Sequence, residues 1–295
     1  MRRVRALPVH VFLFLGLSGC LSGGFHDDSP LQGQGTIRVG TYNVENLFDN
    51  VDDPHRADDP GPPRERLEAL ATVIKALDCD ILALQEVENV AILHEFNAFY
   101  LDNLYIEEVL VEGNDPRGID VAVLSKLTLI NVISFRERSI PLPEGEGAIH
   151  FSRDLLAVQW RGRKGGKWTL LTTHLKAGAR GDDSVYRTVQ AEAIARICRE
   201  EAFVSVLGPG LTILAGDLNA EPWAEELRAL SGVPFSDPAR DLPYRFTHVS
   251  GKVLDYVLLS PDADARYVVG SARIYRDPPA RKASDHFPVY VDLCF

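Results

Sequence analysis

One feature constrains this chain more than any other. Apolar runs that read as buried strands end abruptly in residues able to do chemistry. "LTILAGDLN" (211–219) is the clearest case, and "DILALQEVE" (80–88), "WTLLTTHLK" (168–176) and "KVLDYVLLS" (252–260) follow the same plan. Strand side chains alternate faces, so Asp217 and Asn219 are expected to point the same way as Ile213 and Ala215. A carboxylate buried alone at the edge of a core costs roughly several kcal/mol, unless it is paired, hydrogen-bonded or metal-bound. The blander reading is a turn in which Asp and Asn cap a following helix, and that segment alone does not exclude it.

The rest of the chain supplies context. Residues 36–48 read as an opening strand with Ile37, Val39, Thr41 and Asn43 on one face. Leu67, Leu70, Ala71, Ile74 and Leu77 recur at helical spacing over 65–77, between two strands, which predicts a βαβ unit. Further strands are expected at 118–126 and 287–295, and a helix over 184–202. The segment 134–151 carries no clear element. Many strands with few long helices predict a layered α/β sandwich and not a simple doubly wound sheet.

Composition narrows the class. The chain has 295 residues, 45% hydrophobic and 25% charged, enough for one large α/β domain or two small ones. Arg2, Arg3 and Arg5 precede a short apolar run and "LSGC" (17–20), the layout of a signal peptide over 1–19. "LSGC" resembles a bacterial lipobox, which would make Cys20 a lipidated N-terminus and residues 20–35 a flexible tether; in an ordinary signal peptide Cys20 would be incidental. The expectation is an exported, membrane-anchored, monomeric envelope lipoprotein on the outer-membrane, periplasmic or cell-surface side. Cleavage there removes three arginines and no acids, taking the net charge from −11 to −14. Such a surface has no general grip on nucleic acid and argues against a nonspecific DNA-binding module. It leaves room for an enzyme that holds a phosphodiester locally through a metal. Cys79, Cys198 and Cys294 match no zinc spacing and allow one disulfide at most; free buried thiols are expected.

The strand ends carry Asn43, Glu86, His174, Asp217, Asn219 and Asp255, and "SDHFPV" (284–289) adds Asp285 and His286. Singly, each has an ordinary explanation as a cap, a turn residue or a satisfied core histidine. Together they are expected on one rim, because strand ends converge there. Carboxylates gathered so closely repel one another unless a divalent cation or an imidazolium compensates.

The motifs "YNVENLF", "LQEVE", "THLK", "GDLNAEP", "LDYVLLS" and "SDHFPV" occur in that order, and the chain thereby resembles the endonuclease/exonuclease/phosphatase superfamily over 36–295. The resemblance implies a four-layer α/β sandwich, with two mixed β-sheets face to face and helices outside both. It implies Glu86 as principal metal ligand, with Asn43 and Asp285 beside the metal, and Mg²⁺ as the ion, Mn²⁺ or Ca²⁺ being alternatives. Asp217 would orient or deprotonate the attacking water, and Asn219 would bond a phosphate oxygen. His286 would contact the scissile phosphate with its tautomer held by Asp255, and His174 would be a general acid, with no carboxylate partner evident for it. Arg117 is a candidate phosphate contact; Glu45 stands open between a second metal ligand and a solvent-facing acid; Lys176, Arg180 and Arg187 stand open between groove and solvated helix face.

The expected activity is divalent-metal-dependent phosphodiester hydrolysis, with DNA or RNA as substrate outside the cytoplasm. Phospholipid head groups or inositol phosphates are the alternative, although no exposed aromatic hairpin for entering a bilayer is identifiable. A binding module that lost its chemistry is a third reading, against which the full set Glu86, Asp217, Asn219, Asp285 and His286 weighs.

Overall fold

The structure is a computed structural model that describes residues 35–51, 60–162, 166–178, 180–200, 204, 207 and 211–294. The expected signal peptide, Cys20 and the tether up to residue 34 lie outside the described residues. Strand β1 (Thr36–Leu47), helix α1 (Arg64–Leu77) and strand β2 (Ile81–Val87) form the expected βαβ unit, with β1 and β2 parallel. Helix α2 (Val90–Phe99) follows, its first turn capped by the Asn89 side chain, which accepts from the Ile92 N–H. Then come β3 (Glu107–Leu110), β4 (Asp120–Ser125), β5 (Leu129–Ser134), β6 (Ile140–Pro141), β7 (Ala148–Ile149), β8 (Leu155–Arg161) and β9 (Lys167–His174). The chain continues through α3 (Gly181–Arg199), β10 (Thr212–Asp217), α4 (Glu225–Ala229), β11 (Asp255–Leu259), α5 (Pro261–Asp264), β12 (Arg273–Ile274), α6 (Ala280–Ala283) and β13 (Val289–Cys294).

The strands form two mixed sheets, ordered β12-β13-β1-β2-β4-β3 and β11-β10-β9-β8-β5. Each is built round one parallel pair, β1 with β2 and β9 with β10, flanked by antiparallel neighbours. Ile37, Val39, Ile81 and Ala83 of the first sheet meet Leu156, Leu170, Ile213 and Ala215 of the second in one buried cluster between the sheets. The opposite faces are covered too: α1 packs Leu70 and Ile74 against Leu82 and Leu84, and α3 packs Ile194 and Ile197 with Leu171 and Leu214. This is the expected four-layer sandwich. Strands buried on both faces read as continuous apolar runs, which is why the sequence announced them so clearly. Each fully buried Leu or Ile contributes about 1.5–3 kcal/mol.

Strands β3, β5, β8 and β12 escaped the sequence reading, and 134–151 proves to hold a short hairpin of β6 and β7. Cys79 is buried, Cys198 partly so and Cys294 exposed, all three free, so the buried-thiol expectation holds for the first only. Among the described residues no helix is long and apolar enough to cross a membrane.

Candidate active site

Strand parity explains how the site arises. The inward rows that start as Ile37–Val39, Ile81–Ala83, Leu170, Ile213–Ala215 and Leu259–Val257 are apolar, then turn polar toward one end of the sandwich. The first polar layer is Thr41, Gln85 and Thr172: the Thr41 hydroxyl donates to Gln85 Oε1 at 3.1 Å, and Gln85 Nε2 reaches Thr172 Oγ1 at 3.5 Å. One step further along the rows stand Asn43, His174, Asp217 and Asp255, each 1–2% exposed. Asp255 joins from the start of β11 because that strand runs antiparallel to β10, and His286 precedes β13, antiparallel to β1. Asp217 is the register partner of both His174 and Asp255. Gly216 lets β10 and β9 approach closely here, since a Cβ on it would lie 2.0 Å from the Thr173 carbonyl oxygen.

Glu86 has the wrong parity, since its neighbour Gln85 already faces inward. Two bulges resolve this. The β2 register shifts against β4 between Gln85 and Val87, and the β1 register shifts between Asn43 and Leu47. Glu86, Glu45 and Asn46 take left-handed backbone conformations, with φ of 66°, 55° and 55°. Bulges of this kind re-aim side chains, and non-glycine residues held at positive φ cost energy that surrounding contacts must offset. The Asn43 amide Nδ2 donates to Glu86 Oε1 at 3.2 Å and to Asp217 Oδ2 at 3.0 Å, while the Asn46 N–H donates to Glu86 Oε2 at 3.1 Å. One amide thus holds a carboxylate from each sheet.

Asn219 departs from the expectation of strand alternation. The strand ends at Asp217, and Asn219 turns into the left-handed region with φ of 48°. Its N–H donates to Asp217 Oδ1 at 2.9 Å and its Nδ2 to the Leu175 carbonyl at 3.1 Å. Asn219 therefore lies beside Asp217 through a local Asp-turn, not through β-pleat. Glu45 is also brought in by its bulge: it accepts the Asp285 N–H on Oε2 at 2.9 Å, and burial together with nearby Asp285 raises its carboxyl pKa.

The electrostatics follow from this crowding. Burial and facing Asp255 push the Asp217 carboxyl up to about 7. His286 donates from Nδ1 to Asp255 Oδ2 at 2.8 Å, and its Nε2 stands 3.7 Å from Asp217 and 3.9 Å from Asp285. Burial works against its charge, but Asp255 and Asp217 outweigh it and hold the imidazolium up to about 10. His174 is held neutral, well below its ordinary pKa, by burial and then by Arg153. Its Nε2 lies 3.5 Å from Asp217 and 4.0 Å from Glu86, and its Nδ1 has no hydrogen-bond partner.

Arg153 is buried beside it, with Nε 2.7 Å from Asp115 Oδ2; the more exposed Arg117 faces the same aspartate at 3.5 Å. Lys176 and Arg180 lie against Asp183 after β9. Arg187 is no groove residue: it is buried, bonded to Glu226 at 3.0 Å and to the Lys176 and Gly178 carbonyls.

The donor set suits a hard divalent cation. Glu86, Asp217, Asp255 and Asp285 converge, Glu86 is reachable from solvent with 16% of its side chain exposed, and the buried Asp255 Oδ1 has no partner. Sequence reasoning missed three residues, two beside His174 and one that packs against His286 without a part in the chemistry. Arg153 and Asp115 lie outside every motif. His248 arrives from the hairpin before β11, on a backbone bridge to His286, and nothing in "FTHVSG" marks it.

Comparison with known proteins agrees with this architecture. The family model described as "Endonuclease/Exonuclease/phosphatase family" matches residues 40–286. No curated protein sequence matches the chain. The human Nocturnin catalytic domain with bound sulfate anion is similar in structure, at 20% identity over 87% of this chain and 93% of that one, with a TM-score of 0.64. An endonuclease/exonuclease/phosphatase from Bacteroides vulgatus gives 17% identity over 88% and 98%, with a TM-score of 0.62. An AP endonuclease from Archaeoglobus fulgidus gives 18% over 87% and 99%, with a TM-score of 0.58. With its sandwich, its polar rim and a family match over most of its length, the chain belongs to the endonuclease/exonuclease/phosphatase family, whose members hydrolyse phosphoester bonds.

Proposed function

We propose that this protein is a divalent-metal-dependent phosphodiesterase, and specifically a nuclease acting on DNA or RNA outside the cytoplasm. The observation that carries it is the Asn43 amide joining Glu86 of one sheet to buried Asp217 of the other, beside the Asp255–His286 couple. Asp217, its proton held to about 7, is poised to take a proton from an attacking water near neutral pH. His286 presents Nε2–H to a phosphate oxygen while Asp255 anchors its other nitrogen. Asn219 and Arg117 add donors to the phosphate, and Arg117 does so from a half-exposed position. His174 is neutral in the free protein; an arriving anion raises its basicity, which suits it to protonate the leaving oxygen. Glu86, with Asn43 and Asp285 beside it, would hold the cation. A bound Mg²⁺, or Mn²⁺ or Ca²⁺ in its place, would neutralise charge on the phosphate.

Nucleic acid is favoured over a lipid head group by the 134–151 segment. Its Phe135, Ile140 and Phe151 are buried in the domain and so are not offered to a bilayer. Exposed Trp223 and Tyr244 stand on the loops that carry Asn219 and His248, where bases have aromatic faces to stack on. Export and lipid anchoring at Cys20 rest on the N-terminal sequence, and mass spectrometry of the mature N-terminus tests them.

The deciding assay is a substrate panel with EDTA controls. Plasmid or RNA cleavage with Mg²⁺ or Mn²⁺ is expected, abolished in Asp217→Ala while the fold stays cooperative, and altered in metal requirement in Glu86→Gln. Turnover of a phospholipid with none of any nucleic acid would overturn the nuclease reading.

A further inference from the structure

His248 has no role in the chemistry above, yet it stands against the site in a defined geometry. The Phe287 N–H donates to the Thr247 carbonyl and the Val249 N–H to the Asp285 carbonyl, so the loop of His248 is stitched to that of His286. The two imidazoles pack edge to face with ring centroids 4.7 Å apart. His248 Nε2 is 3.2 Å from Asp285 Oδ2, and His286 Nε2 is 3.9 Å from Asp285 Oδ1. One ligand atom from each of the three residues lies within 4.8 Å of the others. A tetrahedral ion with bonds of about 2.0–2.1 Å sets its ligand atoms about 3.3–3.4 Å apart; each imidazole is already close to that distance from a carboxylate oxygen, and the three ligand atoms draw in from within 4.8 Å as the ion binds.

We propose that His248, Asp285 and His286 form a second cation site, which takes a borderline transition ion such as Zn²⁺, and that filling it blocks hydrolysis. The donor set decides the ion. Two imidazole nitrogens and one carboxylate favour Zn²⁺ over Mg²⁺, whereas the oxygens around Glu86 favour the harder ion. Each ring also has an outer partner that fixes its orientation. His286 Nδ1 is held by Asp255 at 2.8 Å, and His248 Nδ1 faces the Ser250 hydroxyl at 2.7 Å. In the ligating tautomer His248 Nδ1–H donates to that hydroxyl, and the exposed Ser250 N–H, now 3.1 Å from Nδ1, turns to water. The site opens to solvent, with 20% of the His248 side chain and 41% of the Asp285 side chain exposed. Binding displaces the Nε2 proton of His286 to solvent and occupies the atom that faces Asp217. The block on hydrolysis rests on the phosphodiesterase reading; the binding does not.

The test titrates Zn²⁺ into metal-stripped protein held in excess Mg²⁺, read by calorimetry and a chromophoric chelator. One Zn²⁺ per chain is expected, with affinity at least about tenfold weaker in His248→Gln. The same variant is expected to keep its Mg²⁺-supported rate and to lose its sensitivity to Zn²⁺. His248→Phe, which keeps a ring against His286 without a ligating nitrogen, is the second variant should His248→Gln fail to fold. Equal Zn²⁺ affinity in the wild type and a folded variant overturns the proposal, as does equal inhibition of both. His248-dependent Zn²⁺ binding in a protein that cleaves no phosphodiester would uphold the site and sink the phosphodiesterase reading.

Discussion

Asn43→Asp is the most informative single substitution, because it changes one atom of the group that joins the sheets. The amide donates to Asp217 at 3.0 Å and Glu86 at 3.2 Å; the variant puts a third carboxyl at those same distances. At an effective dielectric constant of about 20, unit charges about 3 Å apart repel by roughly 5 kcal/mol, so the three groups do not all ionise. Protonation limits the penalty. Holding a proton at about pH 7.5 on a carboxyl of ordinary pKa costs about 5 kcal/mol. Asp217, already raised to about 7, takes up part of that cost, leaving about 3–5 kcal/mol. For a domain of this size that corresponds to a melting temperature lower by about 6–20 °C. The loss should shrink by more than half near pH 5, where the extra proton binds readily. Thermal melts in EDTA at the two pH values, with Asn43→Ala as the uncharged control, give the measurement. A drop under about 2 °C at pH 7.5, or one undiminished by acid, would refute the placement of Asn43 between two buried carboxylates.

Two further perturbations test separate parts of the structure. Asp154 is buried at a left-handed position, and burial pushes its carboxyl up to about 6. A raised folded pKa means that the folded state binds the proton more tightly, so this group costs stability progressively from about pH 4 to 6 and fully above. Asn tolerates that backbone, and Asp154→Asn should therefore stabilise by up to about 3 kcal/mol at pH 7.5 and negligibly at pH 4; an equal effect at both pH values in thermal melts would contradict this. Arg66 donates to the Val44, Glu45 and Ala283 carbonyls, tying the β1 bulge to the loop before His286. Arg66→Lys offers no fork for these acceptors and should lower metal affinity or activity about 10–100-fold, read by metal titration of hydrolysis; an unchanged profile would remove Arg66 from the positioning of the site.

Much of this was legible in the chain. Strands β1, β9, β10 and β11 stand out as apolar segments, and their terminal polar residues face where parity sends them: Asn43, His174, Asp217 and Asp255 all continue inward rows. Weaker strands went unread. All four β3 residues are partly exposed on an edge strand and two of them are glutamates, and β8 begins directly after the polar pair Arg153–Asp154.

In the sequence by itself the order of the motifs determined the family and, through that resemblance, the layers; alternation determined the inward-facing members of the site, because it is a property of one strand and survives without knowledge of its neighbours. Tertiary structure alone decided how Glu86 and Glu45 reverse their parity, how Asn219 reaches Asp217 by a turn, and how His248 comes to rest against His286. Those placements depend on bulges and on bonds between residues far apart in the chain, such as Asn43 and Asp217, 174 positions distant. A side chain's direction at a bulge is set by the partner it meets across the sheets, and no local pattern encodes that meeting.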